Sequence, residues 1–196
     1  MKGRRRTQAE RRAETRAAVL ESACRLFGSK GYADTSLEEI ATSCGVTIRP
    51  IYHYFGNKKQ LFAAVNERME ERIVESIQAS AESASEDPIL SDWRAFLDRC
   101  REPDLRRIVL IDSPNVLGRD RWTDSAVTVA AAGRLRASQG EADDVRGRLV
   151  ARMLMGAFAE AALAIAESDD PERWSREADE VVRRLAGAVA EMGDGR

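Results

Sequence analysis

The stretch SLEEIATSCGVTIRPIYHYF, Ser36 to Phe55, leaves the chain few folds to choose from. Leu37, Ile40, Ala41 and Cys44 fall at i, i+3, i+4 and i+7, the spacing of a short amphipathic helix, and Gly45 ends it. Ser36 and Glu39 have capping-box spacing at its start. Thr47 then caps a second short helix. Val46 before that cap and Ile51 at the fourth helical position form a hydrophobic staple that fixes how the chain enters. Pro50 falls in the first turn, where its missing N–H would have had no helical partner. Two short helices joined by CGVT, the second stapled to the first, make a helix-turn-helix over about 36–55.

The rest of the chain carries the same punctuation and almost no strand signal. Thr7 and Glu10 form a capping box that opens a helix with Val19, Leu20, Ala23, Leu26 and Phe27 on one stripe, ending near Gly31. Asn57 opens a longer helix to about Ser80, with Leu61, Phe62, Val65, Met69, Ile73 and Ile77 inward. Asp87-Pro88 starts the next helix and Pro103 another, which Ser113-Pro114-Asn115 is expected to break. A helix over about 119–138 ends at Gln139-Gly140, and Asp143 or Asp144 caps one over about 145–167. Asp170-Pro171-Glu172 opens the last, with proline at the first helical position and an acid at the positive end of the dipole. The expectation is an all-α chain of about nine helices.

Composition excludes several function classes. Hydrophobic residues at 43% and charged residues at 33% describe a globular protein. No apolar run is expected to approach the roughly 18 residues of a membrane span, and MKGRRRTQAERR lacks the apolar segment of a secretory signal. Cys24, Cys44 and Cys100 are odd in number and widely spaced, as in a reducing compartment, so the cytoplasm is expected. The single histidine lies in the second short helix. There is no Gly-rich phosphate loop, metal-ligand spacing or nucleophile elbow, so neither an enzyme nor a metal or cofactor is expected. Residues 1–60 carry 12 Lys and Arg against 6 Asp and Glu, a net of +6, while the remainder carries 19 against 27, a net of −8. A basic head on an acidic body suits a polyanion bound by the head alone.

The second short helix supplies the reading groups. With Ile51 at zero on a helical wheel, Phe55 lies at about 40° and faces the core with it; Tyr52 lies at about 100°, Arg49 at about 160° and His53 at about 200°. An outward guanidinium, imidazole and phenol suit a major groove. Arg49 can bond a guanine edge in bidentate fashion, and Ile48 or Pro50 can touch a thymine methyl. Ser36 and Thr47 sit at helix N-termini, where N–H groups favour phosphate, and Lys58 occupies a first turn that a docked anion would suit. The arm with Lys2, Arg4, Arg5, Arg6, Arg11 and Arg12 can follow the backbone or enter a minor groove. For one of the two tyrosines, Tyr54 before Tyr52, packing on the first helix is the alternative reading.

ETRAAVLESACRLFGSKGYADTSLEEIATSCGVTIRPIYHYFGNKKQLFAAV, residues 14–65, resembles the DNA-binding domain of TetR-family transcriptional regulators. Their pattern runs LF..KG(Y/F)..T(S/T)...IA...GVS...LY.HF..K..L. The resemblance implies an all-helical, two-domain, homodimeric bacterial regulator whose C-terminal helices bind a small ligand. It implies DNA contacts by Ser36, Thr47, Ile48, Arg49, Pro50, Tyr52, His53, Tyr54 and Lys58. Two departures bear on the operator: the usual aromatic-His pair is here His53-Tyr54, and Pro50 stands where a small residue is commoner. The expected division is 1–60 for the arm and helix-turn-helix, and 61–196 for effector binding and dimerisation.

Within the second domain, VARMLMGAFAEAALAIA (residues 150–166) is apolar around most of its circumference, so it needs cover on more than one side. With Val181, Ala188 and Met192 of the last helix, Met155, Ala157, Ala161, Ala164, Val182, Leu185 and Val189 are expected in a four-helix dimer interface. The alternative is the monomer's own core. Phe96, Cys100, Ile108, Ile111, Val116, Trp122, Val129, Met153 and Phe158 could line an effector pocket or simply fill the core. The function expected is a repressor, nucleoid-associated when bound, that leaves a palindromic duplex-DNA operator when a small molecule binds. A helical adaptor without DNA binding is the rival reading, which the basic arm, Arg49 and Lys58 oppose.

Overall fold

The computed structural model describes residues 7–83, 87–118, 125–139 and 144–194, and among them the chain is all helix. We number nine helices in chain order. The head holds α1 (Gln8–Lys30), α2 (Leu37–Ser43), α3 (Ile48–Phe55) and the start of α4 (Lys58–Ser83). The body adds α5 (Pro88–Cys100) and α6, which passes from Pro103–Arg106 through a π-helical stretch Arg107–Asp112 to Ser113–Val116. It is completed by α7 (Ala126–Gln139), α8 (Asp144–Glu167) and α9 (Pro171–Asp194).

The caps behave unequally. At α1 both halves of the Thr7–Glu10 capping box form. At α2 only one does: the Ser36 hydroxyl accepts from the Glu39 N–H, while the Glu39 carboxylate pairs with Lys30 of α1. Thr47 is the N-cap of α3 by position, yet its side chain makes no cap hydrogen bond. Asn57 caps α4 through its Oδ1 and the Gln60 N–H at 2.9 Å. The expected break at Ser113-Pro114-Asn115 does not occur. A π-helical turn precedes Pro114, with Ser113 N–H bonded five residues back to Ile108, so the ring meets no tight i−4 carbonyl and α6 continues to Val116. The helix expected from about 119 is described from Ala126; residues 119–124, Gly140 and Asp143 lie outside the described residues.

One hydrophobic cluster runs from head to body. Val19, Ala23, Phe27, Ile40, Ile51, Phe55, Phe62 and Val65 fill the head, and Trp93, Phe96, Leu105, Ile108 and Phe158 fill the body. The first turns of α4 belong to the head, since Phe62 meets Phe27 edge-on at 5.2 Å and Tyr32 at 5.1 Å. Next to it α1 and α6 touch closely: a Cβ on Gly28 would stand 2.6 Å from Asp104 Cβ. The Tyr32 N–H donates to Asp112 at 2.8 Å, and Arg72 of α4 donates to Glu102 at 2.6 Å. The head is thus tied to both ends of α6.

Ionisable groups, one of them buried, tie the body helices together. Trp93 Nε1 and Arg94 of α5 both bond Asp179 of α9, at 2.7 and 3.1 Å. Asp92 of α5 is buried beside Arg134 of α7 at 2.7 Å, and burial outweighs that cation, pushing the carboxyl up to about 6. A raised carboxyl favours the protonated fold, so its contribution is present below the ordinary Asp value and is lost as pH rises through about 6. Relative to Asp92→Asn, the wild type should therefore gain stability as pH is lowered from about 7 to about 4.5, read by urea denaturation. A difference that stays constant across that window contradicts the assignment.

Residues 145–167, within α8, are long and apolar enough by length and composition to cross a membrane, at mean hydropathy 1.7. This corrects the expectation that no stretch approaches that size; the run carries Arg146, Arg148, Arg152 and Glu160 and ends at Glu167. A core helix of a globular bundle passes the same test, and α8 buries Ala151, Met155, Phe158, Ala162 and Ile165 in its own protomer.

Candidate nucleic-acid interface

α3 presents two contrasting faces. Ile51 and Phe55 are buried against the other head helices, and Arg49, Tyr52 and His53 are exposed, with Tyr52 at 51%. Ile48, Pro50 and Tyr54 are half-buried at the margin. The turn before α3 is held by Val46 N–H to the Ala41 carbonyl at 3.0 Å and by Gly45 at φ 69°, a left-handed value that favours glycine. Tyr54 packs edge-on against His53 at 5.1 Å and Phe55 at 6.5 Å.

The anchoring groups surround this face. The Thr47 hydroxyl is not spent on its own helix, and the first N–H groups of α3 point out of its N-terminus. Ser36 uses its oxygen as an acceptor, which leaves the hydroxyl proton to donate. No acidic side chain stands in the first turn of α3 or of α4. Lys58 sits over the Tyr32 ring at 4.3 Å and donates to the Ala33 carbonyl at 3.3 Å, so its ammonium is seated on the α1–α2 loop. Arg16 of α1 lies over the Phe55 ring at 5.2 Å. Sequence reasoning missed Arg16 and the seat at Tyr32, because neither partner is near in sequence. Arg11 and Arg12 are exposed on the first turns of α1, whereas Lys2, Arg4, Arg5 and Arg6 lie outside the described residues.

The expected pocket residues divide. Phe96, Cys100, Ile108 and Phe158 are buried, and Phe158 meets Phe96 at 6.2 Å and Trp93 at 5.1 Å. Val116 is half-buried, and Trp122 lies outside the described residues. Ile111, Val129 and Met153 are corrected: all three are exposed, because their helices turn Ile108, Val127 and Met155 inward instead. Cys100 and Leu97 floor a groove of about 490 Å³ between α5, α8 and α9, rimmed by Arg101, Arg106 and Glu172. Burial pushes the Cys100 thiol up to about 12, which keeps it protonated. A second cavity, under Asp92, Met155 and Phe158, is about 20 Å³, room for one water.

The expected dimer residues divide as well. Met155, Val182 and Val189 are buried in their own protomer, which corrects their placement; Ala161 and Ala164 are half-buried, and Ala157 and Leu185 are exposed. Of the others, Val181 and Ala188 are exposed, and the side chain of Met192 lies outside the described residues. The outward stripes are Val145, Leu149, Met153 and Ala157 on α8 and Trp174, Val181, Leu185 and Ala188 on α9, where half-buried Ala178 completes an alternating spacing of four and three. That is the repeat of a helix seam that packs on another helix.

Residues 19–65 match the family model described as bacterial regulatory proteins, tetR family, and residues 87–189 match the tetracyclin repressor-like C-terminal domain. The chain is 45% identical over 62 residues to the HTH-type transcriptional regulator AcrR of Shigella flexneri, covering 32% of this chain and 29% of that one. It is 28% identical over 126 residues to the HTH-type transcriptional repressor AcnR of Corynebacterium efficiens, covering 62% and 63%. The match thus spans less than two thirds of the length of either relative. A crystal structure of a TetR-family transcriptional regulator from Pectobacterium atrosepticum is 33% identical, with a TM-score of 0.64 over 92% of this chain and 95% of that one.

Proposed function

The chain belongs to the TetR family of bacterial transcriptional regulators, which bind DNA and are not enzymes, and from that premise we propose that it is a homodimeric repressor. In this reading it leaves a palindromic operator when a small molecule binds the body. It works in the cytoplasm, associated with the nucleoid while bound. Residues 1–60 carry DNA binding and 61–196 carry effector binding and dimerisation, with α4 passing from one to the other.

The observation that carries the reading is the outward face of α3: Arg49, Tyr52 and His53 exposed above a buried Ile51 and Phe55. Arg49 bonds a guanine edge in the major groove, Ile48 and Pro50 meet thymine methyls, and Tyr52 and His53 donate to bases or phosphates. Ser36, Thr47 and Lys58 hold phosphates and fix the register, and Arg4, Arg5 and Arg6 add contacts from the arm. The seams on α8 and α9 supply the second head, since a helix-turn-helix dimer reads half-sites about 34–36 Å apart.

Selection of bound genomic fragments by the purified protein tests this. One family of inverted-repeat fragments should emerge, and its affinity should fall steeply with salt, as expected when about six or more phosphates are neutralised. Enrichment of no duplex at modest ionic strength contradicts the proposal.

A further inference from the structure

The groove between α5, α8 and α9 takes no part in the α3 face or in the outward seams, and its lining is of two kinds. The floor is apolar: Leu97 and Cys100 of α5 and Ala162 and Ile165 of α8 are all buried. The α5–α6 side contributes two guanidiniums, Arg101 and Arg106, and the α9 side one carboxylate, Glu172, so the lining is net cationic. Its volume of about 490 Å³ is that of a small-molecule site.

Arg106 is held without being neutralised. Its Nη1 donates to the Cys100 carbonyl at 3.0 Å and, across a long 3.5 Å, to the Arg101 carbonyl, which fixes the guanidinium on the C-terminal end of α5. Nε and Nη2 keep their N–H groups, and no carboxylate pairs with Arg106 among the described residues. The Arg101 guanidinium meets Asp98 at a long 3.9 Å, with both side chains 65% exposed, so water screens that pair.

We propose that this groove is the effector site and that the effector is a carboxylate carried on an apolar body. The proposal rests on the ligand-responsive reading above. A planar guanidinium with open Nε and Nη2 donors grips a carboxylate at two points, and Arg101 adds a second cation. The buried floor covers the apolar body. A cationic ligand would meet the same two guanidiniums and be repelled.

The position couples the groove to the head. Arg106 lies two residues beyond Asp104, which packs against Gly28 of α1, and beside Arg107, which donates to the Ser29 carbonyl at 3.4 Å. A carboxylate gripped by Arg106 adds an anchor at the joint between α5 and α6. It shifts the head only by its difference in affinity for the two arrangements of that joint.

Calorimetric titration of the full-length protein with cinnamate tests this, with cinnamyl alcohol and cinnamylammonium as controls of the same shape. A rigid, planar probe loses little conformational entropy on binding. Cinnamate should bind once per protomer and about 10- to 100-fold more tightly than either control, the margin of a charged hydrogen bond. Arg106→Gln should weaken it by about 10-fold or more, and Arg101→Gln, at a wetter position, by about 3-fold. Ala166→Trp, at an exposed position of the groove wall, should fill the space and abolish binding with the fold retained. Glu172→Gln removes a like charge and should bind no more weakly than wild type. If Arg106→Gln does not fold, Ala166→Trp decides. No binding of cinnamate, equal binding of either control, or undiminished binding by Arg106→Gln or Ala166→Trp overturns the proposal. Saturating cinnamate should also change the affinity of wild type for the selected fragment, and an unchanged affinity overturns the effector role. Because the titration contains no DNA, its failure leaves the regulator reading to the fragment selection, which stands or falls separately.

Discussion

Replacing Arg49 and Tyr52 together by alanine should weaken binding to the selected operator by about 100-fold or more, leaving binding to random duplex nearly unchanged. Both side chains are exposed on α3 and neither belongs to the head core, so the fold should shift by no more than about 0.5 kcal/mol. A bidentate arginine–guanine pair discriminates by about 1–3 kcal/mol, and a symmetric dimer makes it twice. Arginine alone therefore accounts for about 2–6 kcal/mol, and Tyr52 adds to it. The proposed phosphate anchors, Lys58 and the α3 N-terminus, remain, and such contacts set the affinity for any sequence. Gel shifts with operator and scrambled duplex, beside a sedimentation measurement of the dimer, check the result. Equal loss on both duplexes would make these residues phosphate anchors instead.

A second large effect is expected from Met153→Glu combined with Val181→Glu. Met153 is 66% exposed and Val181 56% exposed on the outward seams of α8 and α9, so neither supports the protomer's own core. In the proposed four-helix interface they are buried, and four carboxylates brought together near a two-fold axis cannot all be desolvated. Sedimentation should give the mass of one protomer with helix content retained. Operator affinity should fall by about 100-fold or more, because a lone head loses the partner that makes its binding effectively intramolecular. A dimer that survives both changes would move the interface to another face. Met155→Glu is the instructive contrast: that residue is buried in its own protomer, so the change should unfold the protein instead of dividing it.

The head was legible because its signals are local. Capping hydroxyls, the Val46–Ile51 staple and the Gly45 turn each act within a few residues, and Ile51 and Phe55 share a face by helical period alone. Where side chains had two suitors, sequence could not choose: Glu39 had the spacing for a capping box and went to Lys30 across helices. Pro114 signalled a break, but a π-helical turn accommodates the ring, and nothing local announces such a turn. The body was harder for a different reason. α8 is apolar nearly all round, so periodicity does not say which stripe meets the protomer and which faces out. Met155 and Met153 exchanged the roles expected of them on that account. On α9 the expected interface includes both Val181 and Val182, although neighbours on a helix point about 100° apart and only one can face inward.

Protection of guanine N7 from methylation on the selected operator probes the central claim most directly, because N7 lies in the major groove. The account predicts two protected patches, in inverted orientation, centred about 10 base pairs or a multiple apart, and both lost with Arg49→Ala. Guanines left fully reactive while the protein is bound, or one patch without a symmetric mate, would contradict it.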